Sequence, residues 1–169
     1  GDQKRIAAAA DAVKYIQQQV SIVEEYDAIC KNPEFKIRVM HHDTKINNVL
    51  LDNDKKGICV IDLDTVMPGY FISDAGDMLR TYLSPASEEE TDFTKNAVRE
   101  DIFDAIVRGY MQEMKAVLTP AEKAAFVYSG KFMIYMQAIR FLADHFNNDI
   151  YYGAKYEGHN YNRAMNQID

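Results

Sequence analysis

Two short segments of the sequence carry residue types that phosphoryl transfer needs. HHDTKINNVLLD contains the pattern HxDxxxxN, formed by His41, Asp43 and Asn48. In ICVIDLDTVMPG, Asp62 follows Asn48 by 14 residues and ends an apolar run. Phosphoryl transfer requires a carboxylate that orients the attacking hydroxyl, and oxygen ligands for the Mg²⁺ that neutralises the phosphates. Asp43 fits the first role, and Asn48 and Asp62 fit the second.

Three neighbours of these residues have to be assigned as well. Asp64 lies on the same side of an extended segment as Asp62, so it is either a second metal ligand or the cap of the following turn. His41 precedes Asp43 in the pattern and does not pair with it, which favours a hydrogen-bonded support of the loop over a proton carrier. His42 fits an exposed position.

Apolar residues around the two segments predict how they come together. NVLLD and GICVID are strand candidates, and the intervening DNDKKG suits a tight turn. A hairpin of this kind would bring Asn48 close to Asp62 in space.

Helical patterns surround the predicted hairpin. Residues 3–29 contain no Gly or Pro and have apolar residues at a spacing of three to four, which predicts one long amphipathic helix. Residues 98–118 have the same spacing, and TPAE after them predicts a capped start for the next helix. That helix is apolar on nearly every side and is predicted to be central and buried. A short terminal helix follows, so the fold is predicted to be mainly α with a small β-hairpin.

Composition predicts one globular domain over residues 1–169, with 47% hydrophobic and 27% charged residues. The net charge of −7 and the lack of a dense basic run exclude a general nucleic-acid binder. No apolar run of about 18 residues and no signal-like start occur, so neither membrane insertion nor export is expected. Cys30 and Cys59 lack CxxC spacing and are predicted to be reduced and buried, which favours a cytoplasmic location. The EEE run at 88–90 is interpreted as a solvated face.

HHDTKINNVLLD and VIDLDTVMPGYFISDAGDMLR together resemble the catalytic loop and metal-binding segment of the aminoglycoside phosphotransferase and choline kinase group, which are small-molecule relatives of protein kinases. The resemblance implies that Asp43 is the catalytic base and that Asn48 and Asp62 bind Mg²⁺, with ATP as co-substrate. It also implies that His41 and Asp74 support the loop. The implied fold is the C-terminal, catalytic lobe of a protein kinase-like fold.

Within this group the sequence is similar to the N-acetylhexosamine 1-kinase type, in VIDLDTVMPG and in MQAIRFLADHF followed by YYGAKYEGHNYNRA. This similarity implies that an amino sugar or related hexose is phosphorylated at its anomeric hydroxyl, and that Arg140, Tyr151 and Tyr82 contact the sugar. From the residues alone, an arginine in so apolar a helix is more often paired with a buried carboxylate, and Tyr151 is more often a packing residue. Some relatives carry the label of putative mucin desulfatase, but neither Cys30 nor Cys59 lies in the CxPxR motif that a sulfatase needs.

Kinases of this group also have an N-terminal lobe that holds most of the nucleotide. The sequence contains no GxGxxG or VAIK-like run. We therefore expect the chain to be about half of a larger kinase, inactive alone, with an apolar surface where the other lobe would lie and through which it would dimerise. The alternative is a non-catalytic pseudo-kinase or ligand-binding module that keeps the same lobe.

Overall fold

Eight α-helices and four short strands make up residues 3–169, the part of the chain that the computed structural model describes. The predicted mainly α class is confirmed, with two small antiparallel sheets in place of a single hairpin. The helices are α1 (Gln3–Ala8), α2 (Ala10–Gln18), α3 (Ser21–Lys31), α4 (Ile72–Tyr82), α5 (Glu100–Met114), α6 (Pro120–Ala124), α7 (Phe126–Phe146) and α8 (His159–Ile168). The strands are β1 (Arg38–Met40), β2 (Val49–Leu51), β3 (Gly57–Val60) and β4 (Met67–Gly69).

The prediction of one long helix over residues 3–29 is wrong, because three consecutive helices, α1 to α3, occupy this region. Between α2 and α3 the N–H of Gln19 donates to the carbonyl of Ile16, a step of three residues that tightens the turn. Ile16 and Ile22 are both buried. In one uninterrupted helix they would lie about 120° apart around the axis. The break between α2 and α3 changes the direction in which the second side chain points, so both isoleucines reach the same core.

Two antiparallel ribbons follow α3. β2 pairs with β3, with Val49 opposite Val60, and this confirms the predicted hairpin. β1 pairs with β4, with Val39 opposite Pro68. This second ribbon was not predicted, because strands of three residues, one of them with a proline, give almost no periodic signal. This ribbon places β4, which follows Asp62 and Asp64, beside β1, which precedes Asp43.

The capped start at Thr119 is confirmed as a capping box. Glu122 N–H donates to Thr119 Oγ1 at 3.1 Å, and Thr119 N–H donates to Glu122 Oε2 at 2.8 Å. Glu122 is fully buried and also accepts two hydrogen bonds from Arg38 of β1, at 2.5 and 2.9 Å. The cap therefore attaches the β1–β4 ribbon to the helical part of the molecule as well.

The sequence predicts one helix from the capped start at Thr119, but the helix is divided at Ala125 into α6 and α7, and the cap belongs to α6. The predicted central, buried helix is α7, which packs against α4 on one side and α8 on another. Helices α4 and α7 approach closely at Gly76, where a Cβ atom would stand 2.2 Å from the carbonyl oxygen of Ser129. None of the helices in the described region combines the length and the apolarity that crossing a membrane requires. The prediction that the cysteines are buried is wrong: Cys30 and Cys59 are free and exposed, Cys59 on a two-stranded ribbon that no second layer covers.

Candidate active site

Asp43 lies in the loop between β1 and β2, residues 41–48, which we call the Asp43 loop. Lys45 Nζ and Asn48 Nδ2 donate to Asp43 Oδ2 at 2.7 and 2.8 Å, and Asn48 Nδ2 also donates to the Asp43 carbonyl at 2.8 Å. Within residues 3–169, Asp43 Oδ1 has no hydrogen-bond partner, and 27% of the side chain is exposed. One carboxylate oxygen is therefore held in position, and the other remains able to accept a hydrogen bond from a ligand.

The same contacts decide the charge of Asp43. Burial by itself would raise the pKa of the carboxyl, but the hydrogen bonds from Lys45 and Asn48 outweigh burial and lower the pKa below its ordinary value. The hydrogen bond to Asp43 in turn raises the pKa of Lys45. Both side chains are therefore charged at neutral pH.

Asp74, in the first turn of α4, binds the backbone at the start of the Asp43 loop. Its Oδ2 accepts from the N–H of His41 at 2.9 Å, and its Oδ1 accepts from the N–H of His42 at 2.8 Å. His42 has a positive φ of 67°, an unfavourable conformation for a residue with a side chain, which these two hydrogen bonds help to hold. Its ring Nδ1 lies 2.7 Å from Ser73 Oγ, and the residue is only partly exposed.

The ring of His41 links the two acidic segments. Asp43 N–H lies 3.3 Å from His41 Nδ1, and His41 Nε2 lies 3.0 Å from the carbonyl of Ile61. Because Nδ1 accepts, Nε2 carries the proton and donates to that carbonyl. Thr65 Oγ1 donates to the His41 carbonyl at 2.6 Å and adds a second link.

The candidate metal ligands lie on both sides of the β2–β3 hairpin. Ile61 N–H donates to the Asn48 carbonyl at 2.9 Å, so the hairpin brings the two ends together as predicted. Asp62 has a left-handed backbone with φ 63°, is exposed, and its negative charge contributes to the raised pKa of Lys45. Within the described residues the side chains of Asp62 and Asp64 and the Asn48 Oδ1 make no hydrogen bond, so Asp64 does not cap the following turn.

The oxygens of Asn48, Asp62 and Asp64 fit a Mg²⁺ site that leaves coordination positions open for phosphate and water. No group of three or more His, Cys, Asp or Glu side chains that could enclose a metal occurs in residues 3–169. Mg²⁺ in phosphoryl-transfer sites is usually held by one or two carboxylates together with phosphate oxygens and water. One amide oxygen and one or two carboxylates, all without another partner, match that donor set.

A cavity of about 1040 Å³, which we call the Asp43 cavity, extends from the Asp43 loop to α7 and α8. The structure brings Asp43, Arg140 and Tyr151 to the wall of this one cavity. The guanidinium of Arg140 lies 6.0 and 5.5 Å from the ring centroids of Tyr151 and Tyr152, and it donates to Gln137 Oε1 at 3.3 Å. In the described part of the chain no carboxylate pairs with Arg140, so the alternative of a buried ion pair is wrong.

Tyr82 has a different position from the other two predicted sugar contacts. Its hydroxyl donates to the Thr44 carbonyl in the Asp43 loop, and Tyr82 is not among the residues that line the cavity. Burial, together with the nearby charge of Asp77, raises the pKa of Tyr82 to about 12. Its donor is thus already used to hold the loop.

Several charged residues of the cavity wall were not predicted from the sequence, among them Lys45, Asp77, Arg80, Glu88 and Arg163. Lys45 stands two residues after Asp43, and Asp77 and Arg80 have the spacing of a helical ion pair, so both signals were present in the sequence. The interpretation of residues 88–90 as a solvated face is wrong for Glu88, which binds Arg80 and Arg163. No local pattern indicates that contact, because its partners lie on two distant helices.

The model of a family described as the phosphotransferase enzyme family matches residues 2–110 of the chain. The matched region contains Asp43, Asn48, Asp62 and Asp74, together with the two ribbons and α4. It ends before α7 and α8, the helices that complete the Asp43 cavity.

Proposed function

The chain belongs to the phosphotransferase enzyme family, and from this premise we propose that it is the catalytic lobe of a kinase that transfers the γ-phosphoryl group of ATP to a sugar hydroxyl. The observation that carries the proposal is the environment of Asp43. Its carboxylate is ionised, Lys45 and Asn48 hold one of its oxygens, and the other oxygen has no partner within residues 3–169, at the wall of a large cavity.

Asp43 orients the acceptor hydroxyl in this proposal. A carboxylate with a lowered pKa is a weak base, so it does not remove the proton before the reaction begins. Phosphoryl transfer through a loose transition state needs little deprotonation in advance, and a well-placed acceptor oxygen contributes more. Asp43 Oδ1 accepts the hydroxyl hydrogen bond, holds the oxygen in line, and takes the proton late.

Asn48 and Asp62 would hold Mg²⁺, and Asp64 is the candidate for a further carboxylate ligand. When bound, the ion neutralises charge on the phosphate oxygens. Lys45 adds a positive charge beside Asp43, in the Asp43 cavity.

The charges of the cavity support a neutral, oxygen-rich acceptor over a cationic one. Lys45, Arg80 and Arg163 are each paired with a carboxylate. Arg140 has no carboxylate partner among residues 3–169, but Asp169 also lines the cavity, so its acidic and basic side chains balance and no excess negative charge attracts an aminoglycoside or choline. The guanidinium of Arg140 and the exposed ring of Tyr151 suit the hydroxyl groups and the apolar face of a sugar. An N-acetylhexosamine phosphorylated at its anomeric hydroxyl is the acceptor we propose.

The nucleotide would be held largely by a second, N-terminal lobe of the full-length protein, and a cytoplasmic location would supply the ATP. Full-length protein should release ADP when it is given ATP, Mg²⁺ and an acceptor from a panel of N-acetylglucosamine, N-acetylgalactosamine, choline and an aminoglycoside. We expect turnover with the N-acetylhexosamines.

Replacing Asp43 by Asn tests the assignment directly. We expect Asp43→Asn to lower kcat by about 10²- to 10⁴-fold, since the amide cannot accept the proton, while the calorimetric Kd for the sugar stays unchanged. Asp54→Asn, in the exposed turn of the hairpin, is the matched control and should keep full activity. Turnover retained in Asp43→Asn would reject the proposed role. Sugar binding without ADP release by the wild-type protein would favour the non-catalytic module.

A further inference from the structure

Glu88, in the segment between α4 and α5, binds two arginines from different helices. Arg80 Nη1 of α4 donates to Glu88 Oε2 at 3.0 Å, and Arg163 Nη2 of α8 donates to Glu88 Oε1. The arginine side chains are only 10% and 12% exposed, unlike the usual surface ion pair. Burial would raise the pKa of Glu88, but the two guanidinium groups lower it, so the carboxylate is ionised at neutral pH.

On the α4 side, contacts lead from Glu88 to the Asp43 loop. Arg80 Nε and Nη2 donate to Asp77 Oδ1 at 3.1 and 2.9 Å, and Asp77 is almost completely buried. Thr44 Oγ1 lies 3.5 Å from Asp77 Oδ2 and donates to the Asp74 carbonyl at 2.9 Å. Because Thr44 directly follows Asp43, this series of contacts ends beside the candidate catalytic carboxylate.

On the α8 side, contacts lead from Glu88 to the tyrosines of the opposite wall. Arg163 Nη1 donates to Asn160 Oδ1 at 3.1 Å, and Asn160 Nδ2 donates to Asp144 Oδ2 at 3.0 Å. Asp144 accepts the backbone N–H groups of Tyr151 and Tyr152 at 2.8 and 2.9 Å. Asn160 and Asp144 are buried, so this path is shielded from water.

Glu88 is the anion that both paths share. Asp77, Arg80, Glu88 and Arg163 together carry two positive and two negative charges. Without the charge of Glu88, Arg80 would keep its ion pair with Asp77, whereas Arg163 would have no carboxylate within ion-pair distance among the described residues. Arg163 would keep its hydrogen bond to Asn160 and its contact with the ring of Phe141, and neither of these carries a negative charge. Charge repulsion would then drive the two walls apart, because nothing replaces the lost acceptor.

We propose that Glu88 is a positioning residue that holds the α4 wall and the α8 wall of the Asp43 cavity at a fixed separation, and thereby sets how the acceptor meets Asp43. The inference rests on the proposed function in so far as the cavity binds the acceptor. Glu88 acts through Arg80 and Arg163, and through them on Asp43 and Tyr151. Its loss should therefore weaken acceptor binding more than it slows the chemical step.

The loop that carries Glu88 has other attachments, so a Glu88 variant should keep its overall fold. Asn166 Nδ2 donates to the carbonyls of Ser87 and Glu90 at 3.4 and 3.1 Å. Lys155 Nζ forms an exposed ion pair with Glu89 at 2.6 Å. The substitution removes the charge between the arginines and leaves these contacts in place.

The test compares Glu88→Gln with Glu89→Gln in the full-length protein. Glu88→Gln should raise the KM for the acceptor about tenfold, because small misplacements of bound substrate are costly. Its kcat and its KM for ATP should stay within about twofold of wild type. Glu89→Gln loses the exposed pair with Lys155 and a weaker 3.8 Å contact with His159, but it keeps Glu88 between the two arginines and should match wild type. Glu88→Asp keeps the charge but is too short to reach both arginines, so its KM should be intermediate.

Amide hydrogen exchange measures how firmly the backbone of Tyr151 and Tyr152 is held, without using activity. The N–H groups of Tyr151 and Tyr152 should exchange faster in Glu88→Gln than in wild type or Glu89→Gln, since Asp144 holds them through the Arg163 path. If Glu88→Gln does not fold, Glu88→Asp provides both measurements.

The outcomes separate this inference from the proposed function. Unchanged exchange, an unchanged acceptor KM, or the same change in Glu88→Gln and Glu89→Gln would each overturn the role of Glu88. A different result would overturn the proposed function alone: faster exchange of the Tyr151 and Tyr152 N–H groups in Glu88→Gln only, with no ADP release by wild type for any acceptor. The role of Glu88 in connecting the two walls would then still be supported.

Discussion

Asp43 acquires its properties from two neighbours in its own loop. Lys45 and Asn48 share Oδ2, and together they lower the pKa of a carboxyl that burial alone would raise. The result is a carboxylate that is ionised at neutral pH, and whose second oxygen can accept a hydrogen bond from a hydroxyl. A separate base beside Asp43 is therefore unnecessary in the proposed mechanism.

Replacing Lys45 by Met should shift the pH dependence of turnover. The wild-type acid limb of kcat/KM should lie below the ordinary titration range of Asp, because the pKa of Asp43 is lowered. Without the cation the carboxylate is less stabilised, its pKa rises, and the acid limb moves to higher pH. We also expect kcat to fall by about 10²-fold at neutral pH, because a cation beside the reacting groups is lost.

The control for this shift is Lys56→Met. Lys56 lies in the exposed hairpin turn; its N–H donates to Asp52 Oδ1, its carbonyl accepts from the Asp52 N–H, and its side chain makes no hydrogen bond within residues 3–169. Its pH profile should match that of wild type. An acid limb that stays in place in Lys45→Met would show that another group controls the ionisation.

At the scale of elements, the close contact of α4 with α7 decides where the Asp43 loop lies. α4 carries Asp74, which holds the loop backbone, and Asp77, which belongs to the path through Glu88. Gly76 stands between them and faces the backbone of Ser129. A side chain at this position would push α4 and both carboxylates away from α7.

Gly76→Ala should destabilise the protein, whereas Gly109→Ala should not. The new methyl of Gly76→Ala meets a backbone carbonyl that cannot rotate away, so we expect a loss of about 1–3 kcal/mol in the free energy of unfolding. At Gly109, in α5, nothing lies within 4 Å of the added Cβ. There, Ala should add about 0.5–1 kcal/mol through helix propensity. Urea unfolding measures both, and equal effects would contradict the tight packing of α4 on α7.

At the scale of the whole molecule, the two ribbons expose an unusual amount of apolar surface. Between residues 37 and 67 the exposed large hydrophobic residues are Ile37, Val39, Ile46, Leu50, Leu51, Ile58, Val60, Ile61, Leu63, Val66 and Met67. This much exposed apolar surface usually marks a contact face. We propose that the N-terminal lobe of the full-length kinase covers it.

The isolated chain should then associate with itself, whereas the full-length protein should not. We expect light scattering to show a mass that rises with concentration for residues 1–169 alone. Val39→Lys together with Ile58→Lys, at positions 73% and 66% exposed, should restore the monomer without lowering the Tm. Val127→Lys, 66% exposed on α7, is the control and should associate like wild type. A monomer at every concentration would contradict the proposed contact face.

Sequence alone predicted the parts that depend on short-range pattern. The hairpin, the capping box at Thr119 and the buried helix α7 follow from apolar period and from residue types a few positions apart. The grouping of Asp43, Asn48 and Asp62 was predictable for the same reason, because one hairpin separates them. Their roles in transfer stay a prediction that the variants above can test.

Only the tertiary structure decided the contacts that join distant parts of the chain. Glu88 and Arg163 are 75 residues apart, and no spacing in the sequence predicts that they meet. The pairing of β1 with β4 and the absence of a carboxylate beside Arg140 in the described residues were equally out of reach. Local patterns reflect the geometry of one helix or hairpin, whereas these contacts depend on how several helices pack, which no single segment encodes.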